Sequence, residues 1–189
     1  EGRRGTKAGF WDLRPKATIG EAMHEVRRLY VSGRERAQVF NPDDPGNPLE
    51  LRFSKRGVHH AVTRDPDNVR QLDRKLSRAE REDMRVFDPD RAARVHWIGR
   101  VLAHPEAVYE ATDSRGRTGY LMWGIPETDE PPYVVFVQPT EGRPGIVNFV
   151  TAYSYTKSED MREGLRLGRQ LYPLLGDGDP ENNTPQLLK

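Results

Sequence analysis

The chain has 189 residues, 35% of them hydrophobic and 31% charged, with a mean hydropathy of -0.83. That is enough apolar material for one modest core, and no run approaches the roughly 18 apolar residues of a membrane span. The 30 basic and 29 acidic residues leave a formal net charge of +1, so no global field draws the protein to nucleic acid; with no cysteine, disulfides, thiolate nucleophiles and cysteine-bound zinc are excluded together.

Residues 1–17 mix Gly, Arg, Lys and Pro without periodicity and read as a linker, with Phe10 and Trp11 as one aromatic pair able to pack down. The N-terminus is Arg-rich without the apolar stretch of a signal peptide, and Glu1 in place of Met fits excision from a longer polypeptide or a cloning choice. Thr18 and Glu21 form a capping-box pattern, and Ile19, Met23, Val26, Leu29 and Tyr30 recur at helical spacing, which predicts a helix over 19–37. The run Asn41-Pro42-Asp43-Asp44-Pro45-Gly46-Asn47-Pro48 is a loop, so residues 18–48 form an N-terminal helix and loop.

Leu49, Leu51 and Phe53 alternate with polar residues as a short strand feeding Ser54, the cap of a segment running to Thr63. Residues 65–88 are densely charged, carry a second capping-box pattern at Ser77 and Glu80, and read as a solvated helix. Asp88-Pro89 starts a further helix, apolar at Ala92, Val95, Ile98, Val101 and Leu102 and ended by Pro105.

From residue 107 the period changes to strand and turn. The strands are Ala107 to Thr112, Thr118 to Ile125, Tyr133 to Gln138 and Ile146 to Tyr155, a four-stranded antiparallel meander. Thr156 and Glu159 cap a last helix to about Tyr172, and residues 176–189 are a flexible tail. The expected fold is α+β: N-terminal helices packed on a four-stranded antiparallel sheet, with a C-terminal helix, the domain proper spanning 49–175.

Histidine is the side chain suited to acid–base work near neutral pH, and there are five: His24, His59, His60, His96 and His104. His24 and His96 fall inside predicted helices, where a lone histidine is commonly a surface or satisfied core residue, and His104 sits at a helix end, where it can serve the carbonyls. His59 and His60 differ, because they lie within one turn of Lys55 and Arg56, two fixed cations able to bind a phosphate. Neighbours on a helix point to different faces, so at most one is central. No His pair sits at zinc-ligand spacing, and no Gly-rich phosphate loop is present. Alternation along 146–155 places Phe149, Thr151, Tyr153 and Tyr155 on one face and Asn148, Val150, Ala152 and Ser154 on the other, a pattern that strand propensity alone also produces.

Three elements in this order, Lys55-Arg56-Gly57-Val58-His59-His60, Val101-Leu102-Ala103-His104-Pro105-Glu106-Ala107-Val108-Tyr109 and Val147-Asn148-Phe149-Val150-Thr151-Ala152-Tyr153, resemble the barnase, EndoU, colicin and RelE-like superfamily of ribonucleases. The resemblance runs over about residues 50–156 and points to the phage and polymorphic-toxin branches; the net charge near zero and the charged insertion at 65–88 depart from the pattern. It implies a metal-independent endoribonuclease that uses no cofactor. His60, or His59 beside it, is the implied base or acid. Lys55 and Arg56 would stabilise the phosphate, Thr151 would hydrogen-bond it, and Tyr153 would stack on a base or share the proton transfer. Tyr120, Trp123 and Ser154 are the further substrate-binding candidates.

The implied partners are RNA, such as tRNA, and a cognate immunity protein. The implied place of action is the cytoplasm of a target bacterium, reached as part of a larger secreted or phage-delivered polypeptide. Two readings stand beside this one. An ADP-ribosyltransferase toxin would use the strand end Tyr153-Ser154-Tyr155-Thr156 with Glu159, and a non-catalytic module of a phage structural polypeptide would use the charged helices as a binding face. The ribonuclease reading requires the imidazole near position 60 to lie close to the strand at 151–153.

Overall fold

A computed structural model of the chain describes residues 9–33, 37–66, 76–127, 129–156 and 164–173. Helix α1 (Ile19–Tyr30) starts where Thr18 accepts from the Glu21 N–H, and it buries Ala22 and Val26. It ends at Tyr30 rather than 37 because Val31, Ser32 and Gly33 follow, three residues of weak helix propensity. The Tyr30 hydroxyl donates to Val95 O at 2.6 Å and accepts from Gly99 N at 3.0 Å, which ties this helix to the later ones.

Strands β1 (Gln38–Val39) and β2 (Leu49–Arg52) pair antiparallel around the proline-rich loop. Helix α2 (Lys55–His60) follows, capped by Ser54. Strand β3 (Thr63–Arg64) pairs antiparallel with β4 (Val86–Phe87), and between them lies α3 (Arg78–Met84), which has both halves of the Ser77 and Glu80 capping box and buries no residue. The single helix expected after Asp88 is two pieces, α4 (Pro89–Ala92) and α5 (Trp97–Ala103), joined by a turn over 93–96. Trp11 is buried and meets Trp97 edge to face at 5.2 Å, so the segment read as linker contributes to the core.

Strands β5 (Ala107–Thr112), β6 (Thr118–Gly124), β7 (Tyr133–Thr140) and β8 (Arg143–Ser154) are successive antiparallel neighbours. The expectation of a four-stranded antiparallel sheet closed by a C-terminal helix is nevertheless wrong. These four strands are the middle of a seven-stranded mixed sheet, ordered β1-β2-β8-β7-β6-β5-β9. On one side β2 adds parallel to β8, with Glu50 opposite Ile146, Leu51 opposite Val147 and Arg52 opposite Asn148.

On the other side β9 (Arg166–Tyr172) pairs antiparallel with β5 where a helix was expected. Residues 157–163, including Glu159 of the presumed cap, lie outside the described residues, as do those of the tail at 176–189. Gly164 has φ +64°, Leu165 is buried in the core, and Gly168 lets the strand approach β5, since a Cβ there would stand 3.3 Å from Glu110 O. An unpaired β5 edge offers a whole row of backbone partners, which outweighs one local capping pattern.

Both faces of the sheet are covered. Helices α1, α2, α4 and α5 pack on a face that presents Val108, Met122, Val135, Val147 and Phe149, while Tyr109, Leu121, Trp123, Phe136, Tyr153 and Leu165 form a second cluster. That explains why Tyr133 to Val137 are all buried and show no polar alternation. The pairing slips between Phe136 and Val137, whose partners are Thr151 and Phe149, leaving Val150 as a bulge. The bulge breaks the alternation expected along β8: Phe149 joins the helix-side cluster and Tyr153 the opposite one.

Candidate functional site

Helix α2 owes its position to two residues. Ser54 Oγ accepts from Gly57 N at 3.0 Å, and Gly57 lies so close to β8 that a Cβ there would stand 3.2 Å from Phe149 O. The helix therefore rests on the sheet and turns Arg56, His59 and His60 toward α3. There the Glu82 carboxylate takes all three: Oε1 is 2.9 Å from His59 Nδ1, and Oε2 is 2.9 Å from His60 Nε2 and 3.1 Å from Arg56 Nε.

An ionised carboxylate only accepts, so each of these nitrogens must bear its hydrogen. His59 thereby donates through Nδ1, which in the neutral ring puts the lone pair on Nε2, whereas His60 donates through Nε2. The 3.2 Å approach of Arg56 Nε to His60 Nε2 is then two donors converging on one oxygen rather than a bond between them. Among the described residues each ring keeps one nitrogen without a hydrogen bond, Nε2 in His59 and Nδ1 in His60, and the His59 side chain is the more open of the two, 25% exposed against 12%.

Burial, reinforced by the nearby positive charge of Arg85, pushes His60 down to about 4 despite Glu82, so it is neutral at pH 7. Burial opposes the Glu82 charge, but the hydrogen bonds from His60 and His59 and the charge of Arg56 outweigh it and hold the carboxyl well below the usual range. Since His60 is neutral at pH 7, it acts there on Glu82 as an N–H donor more than as a cation.

Behind the imidazoles runs a chain of polar contacts into the sheet. The Thr63 hydroxyl donates to His59 O at 2.7 Å and accepts from Arg85 Nε at 3.0 Å, while Arg85 also reaches Thr63 O and Asp65, each at 2.8 Å. Arg91, on α4, donates to Thr63 O at 3.0 Å and to Thr151 Oγ1 at 3.3 Å, and its guanidinium sits 5.8 Å from the centre of the Tyr153 ring. Thr151 is 2% exposed and Tyr153 1%.

The structure thus brings Arg56, His59 and His60 together, and it sets α2 against β8. It does not bring Thr151 and Tyr153 into the open beside the imidazoles: they lie in the interior and connect to α2 through Arg91 and Thr63. Tyr153 and Ser154 line a cavity of about 240 Å³ with Asp88, Arg91, Arg94 and Glu130. Lys55 is exposed at the start of α2. Tyr120 donates to Asp43 Oδ2 at 3.0 Å on the helix-side face, while Trp123 is fully buried in the other, so they do not form one stacking surface.

The remaining histidines have local explanations. The His96 Nε2 is within 3.1 Å of Phe10 O and 3.0 Å of Asp12 O, which pins the N-terminal segment, and His24 and His104 are exposed. Sequence reasoning missed Glu82, Thr63, Arg85 and Arg91. Glu82 lay in a run read as solvated, and its contacts with α2 span more than twenty residues, beyond any spacing rule; the one available signal was that a functional His needs a carboxylate or carbonyl to fix its tautomer.

Among the described residues, no group of three or more potential ligand side chains is arranged to hold a metal ion, and no helix is long and apolar enough to cross a membrane. Compared with known proteins, the chain matches no family model, no curated sequence and no solved structure at a significant level.

Proposed function

We propose that this chain is a metal-independent endoribonuclease domain that cleaves RNA by attack of a ribose 2′-hydroxyl on the adjacent phosphate, with His59 as the acid–base group. The observation that carries the reading is the Glu82 carboxylate, which holds two imidazoles and a guanidinium in one cluster and, among the described residues, leaves His59 Nε2 without a hydrogen bond. In this reading His59 Nε2 takes the 2′ proton and O2′ bonds to phosphorus. The bond to the 5′ oxygen breaks, that oxygen takes up a proton from water, a 2′,3′-cyclic phosphate remains, and the proton held by His59 passes to the hydroxide so formed. Arg56 and Lys55 oppose the charge that develops on the phosphoryl oxygens.

Glu82 is a positioning residue, fixing the tautomer and orientation of His59. His60, buried and neutral, braces Glu82. Thr151 and Tyr153 act at one remove by holding Arg91, and with it Thr63 and the backbone of His59. A structured RNA such as tRNA is the proposed substrate, and delivery within a larger phage or secreted polypeptide, with an immunity protein as antagonist, is the proposed setting. The test is to incubate the purified domain with total tRNA, with and without EDTA. Wild type is expected to leave 2′,3′-cyclic phosphate ends in both conditions, and His59→Ala to leave none while keeping its circular dichroism spectrum; cleavage that EDTA abolishes would discard the mechanism.

A further inference from the structure

The row of the sheet at which β2 gives way to α2 is flanked by several cations. By register, Arg52 stands beside Asn148, Asn148 beside Gln138, and Thr112 beside both Thr118 and Arg166. The turn between β5 and β6 follows this row, closing toward the end of the sheet from which β2 starts, and Gln138 Nε2 reaches its Asp113 at 3.1 Å. Arg52 and Arg166 therefore lie in neighbouring rows and Arg115 and Arg117 in the turn just past them, while Lys55 and Arg56 follow Arg52 in α2, near enough for the Arg56 charge to act on Arg115.

Three of these charges are met locally: Arg52 by Glu50 at 3.4 Å, Arg56 by Glu82 at 3.1 Å and Arg117 by Asp113 at 3.0 Å. Lys55, Arg115 and Arg166 are exposed and have no carboxylate partner among the described residues, and the same holds for Arg78 at the start of α3. Partial burial and then the charges of Arg78, Arg117 and Arg56 depress the Arg115 pKa, which places that guanidinium within a positive field that Asp113 does not cancel. The β7–β8 hairpin adds Glu141 and Arg143, which offset each other. Among the described residues this leaves a basic strip without carboxylate partners, running from β2 to β9 across five strand spacings of about 4.8 Å, or roughly 24 Å.

We propose that Lys55, Arg78, Arg115 and Arg166 form a track for the phosphodiester backbone of a single-stranded nucleic acid, leading across the sheet to the imidazole cluster. The choice of nucleic acid over another polyanion rests on the ribonuclease reading; the location and the number of contacts do not. Four phosphate contacts on a single strand give log K falling with log salt at a slope of about −2.8, roughly −0.7 for each.

The experiment is fluorescence anisotropy with a short single-stranded oligodeoxynucleotide, which lacks the 2′-hydroxyl and so cannot be cleaved, between about 50 and 200 mM salt. Wild type is expected near the slope above, and the double variant Arg115→Gln, Arg166→Gln to lose about half of it, or roughly 1.4. His59→Ala is expected to bind like wild type. An unchanged slope in the double variant overturns the track even if RNA is cleaved. The expected slopes without RNA cleavage uphold the track and sink the nuclease reading alone. Binding to heparin but not to the oligonucleotide overturns the proposal and assigns the strip to a sulfated glycan.

Discussion

Replacing His60 by Gln keeps an N–H donor for Glu82 and removes the group that titrates. The His60 side chain is 12% exposed, and its pKa in the fold lies at about 4 instead of 6.5. Because the folded value is the lower one, the unfolded chain binds the extra proton first, and this stability is present above pH 6.5 and lost as pH falls toward 4. At about 1.4 kcal/mol for each pH unit in that window, going from pH 7 to 4.5 should cost wild type roughly 2.4 kcal/mol through this residue alone. Urea denaturation at a series of pH values measures it, with the His60→Gln protein as reference, since Glu25 and Asp113, which His60 does not influence, titrate alike in both. The His60→Gln protein should be flatter by about that amount. Parallel curves would mean that His60 is not buried as described, and the assignment of His59 as the open member of the pair would fall with it.

Glu82→Gln should leave His59 free to adopt the other tautomer, lowering kcat on RNA by about two orders of magnitude with little change in KM, the split expected of a residue acting through another. Arg91→Met removes the donor shared by Thr63 and Thr151 and leaves Asp88 facing the interior; chemical denaturation should show a loss of about 3 kcal/mol, against about 1 for Thr151→Val. Gly119→Ala would drive a Cβ into the Val137 carbonyl oxygen and the Phe136 ring, so the variant should melt at least 5 °C lower by roughly the two degrees per kcal/mol that a chain of this size shows.

Local chemistry was the readable part of this sequence. Thr18, Ser54, Ser77 and Asp88 all cap the helices their spacing announced, because a cap depends on three or four neighbouring residues and nothing else. What failed were the features settled across the chain. Nothing in Leu49 to Arg52 says that it will lie parallel to a strand almost a hundred residues later, and nothing in Arg166 to Tyr172 says that the edge of β5 will be waiting for it. The face of Tyr153 was misassigned by a single residue, since the bulge at Val150 inverts the alternation beyond it. At the site, the histidine pair and Arg56 were legible as a cation-rich imidazole segment. Their carboxylate was not, because Glu82 looks like any other charge in a charged helix until folding brings it over α2.

The parallel pairing of β2 with β8 also sets a timetable for synthesis. Helix α2 can be made early, but the surface it settles on, Phe149 and its neighbours, leaves the ribosome only after some ninety further residues, and Arg91 cannot brace Thr63 against Thr151 before then. A nascent chain therefore carries its histidines long before they can be aligned, and whatever these side chains do begins only when translation of the domain is nearly finished.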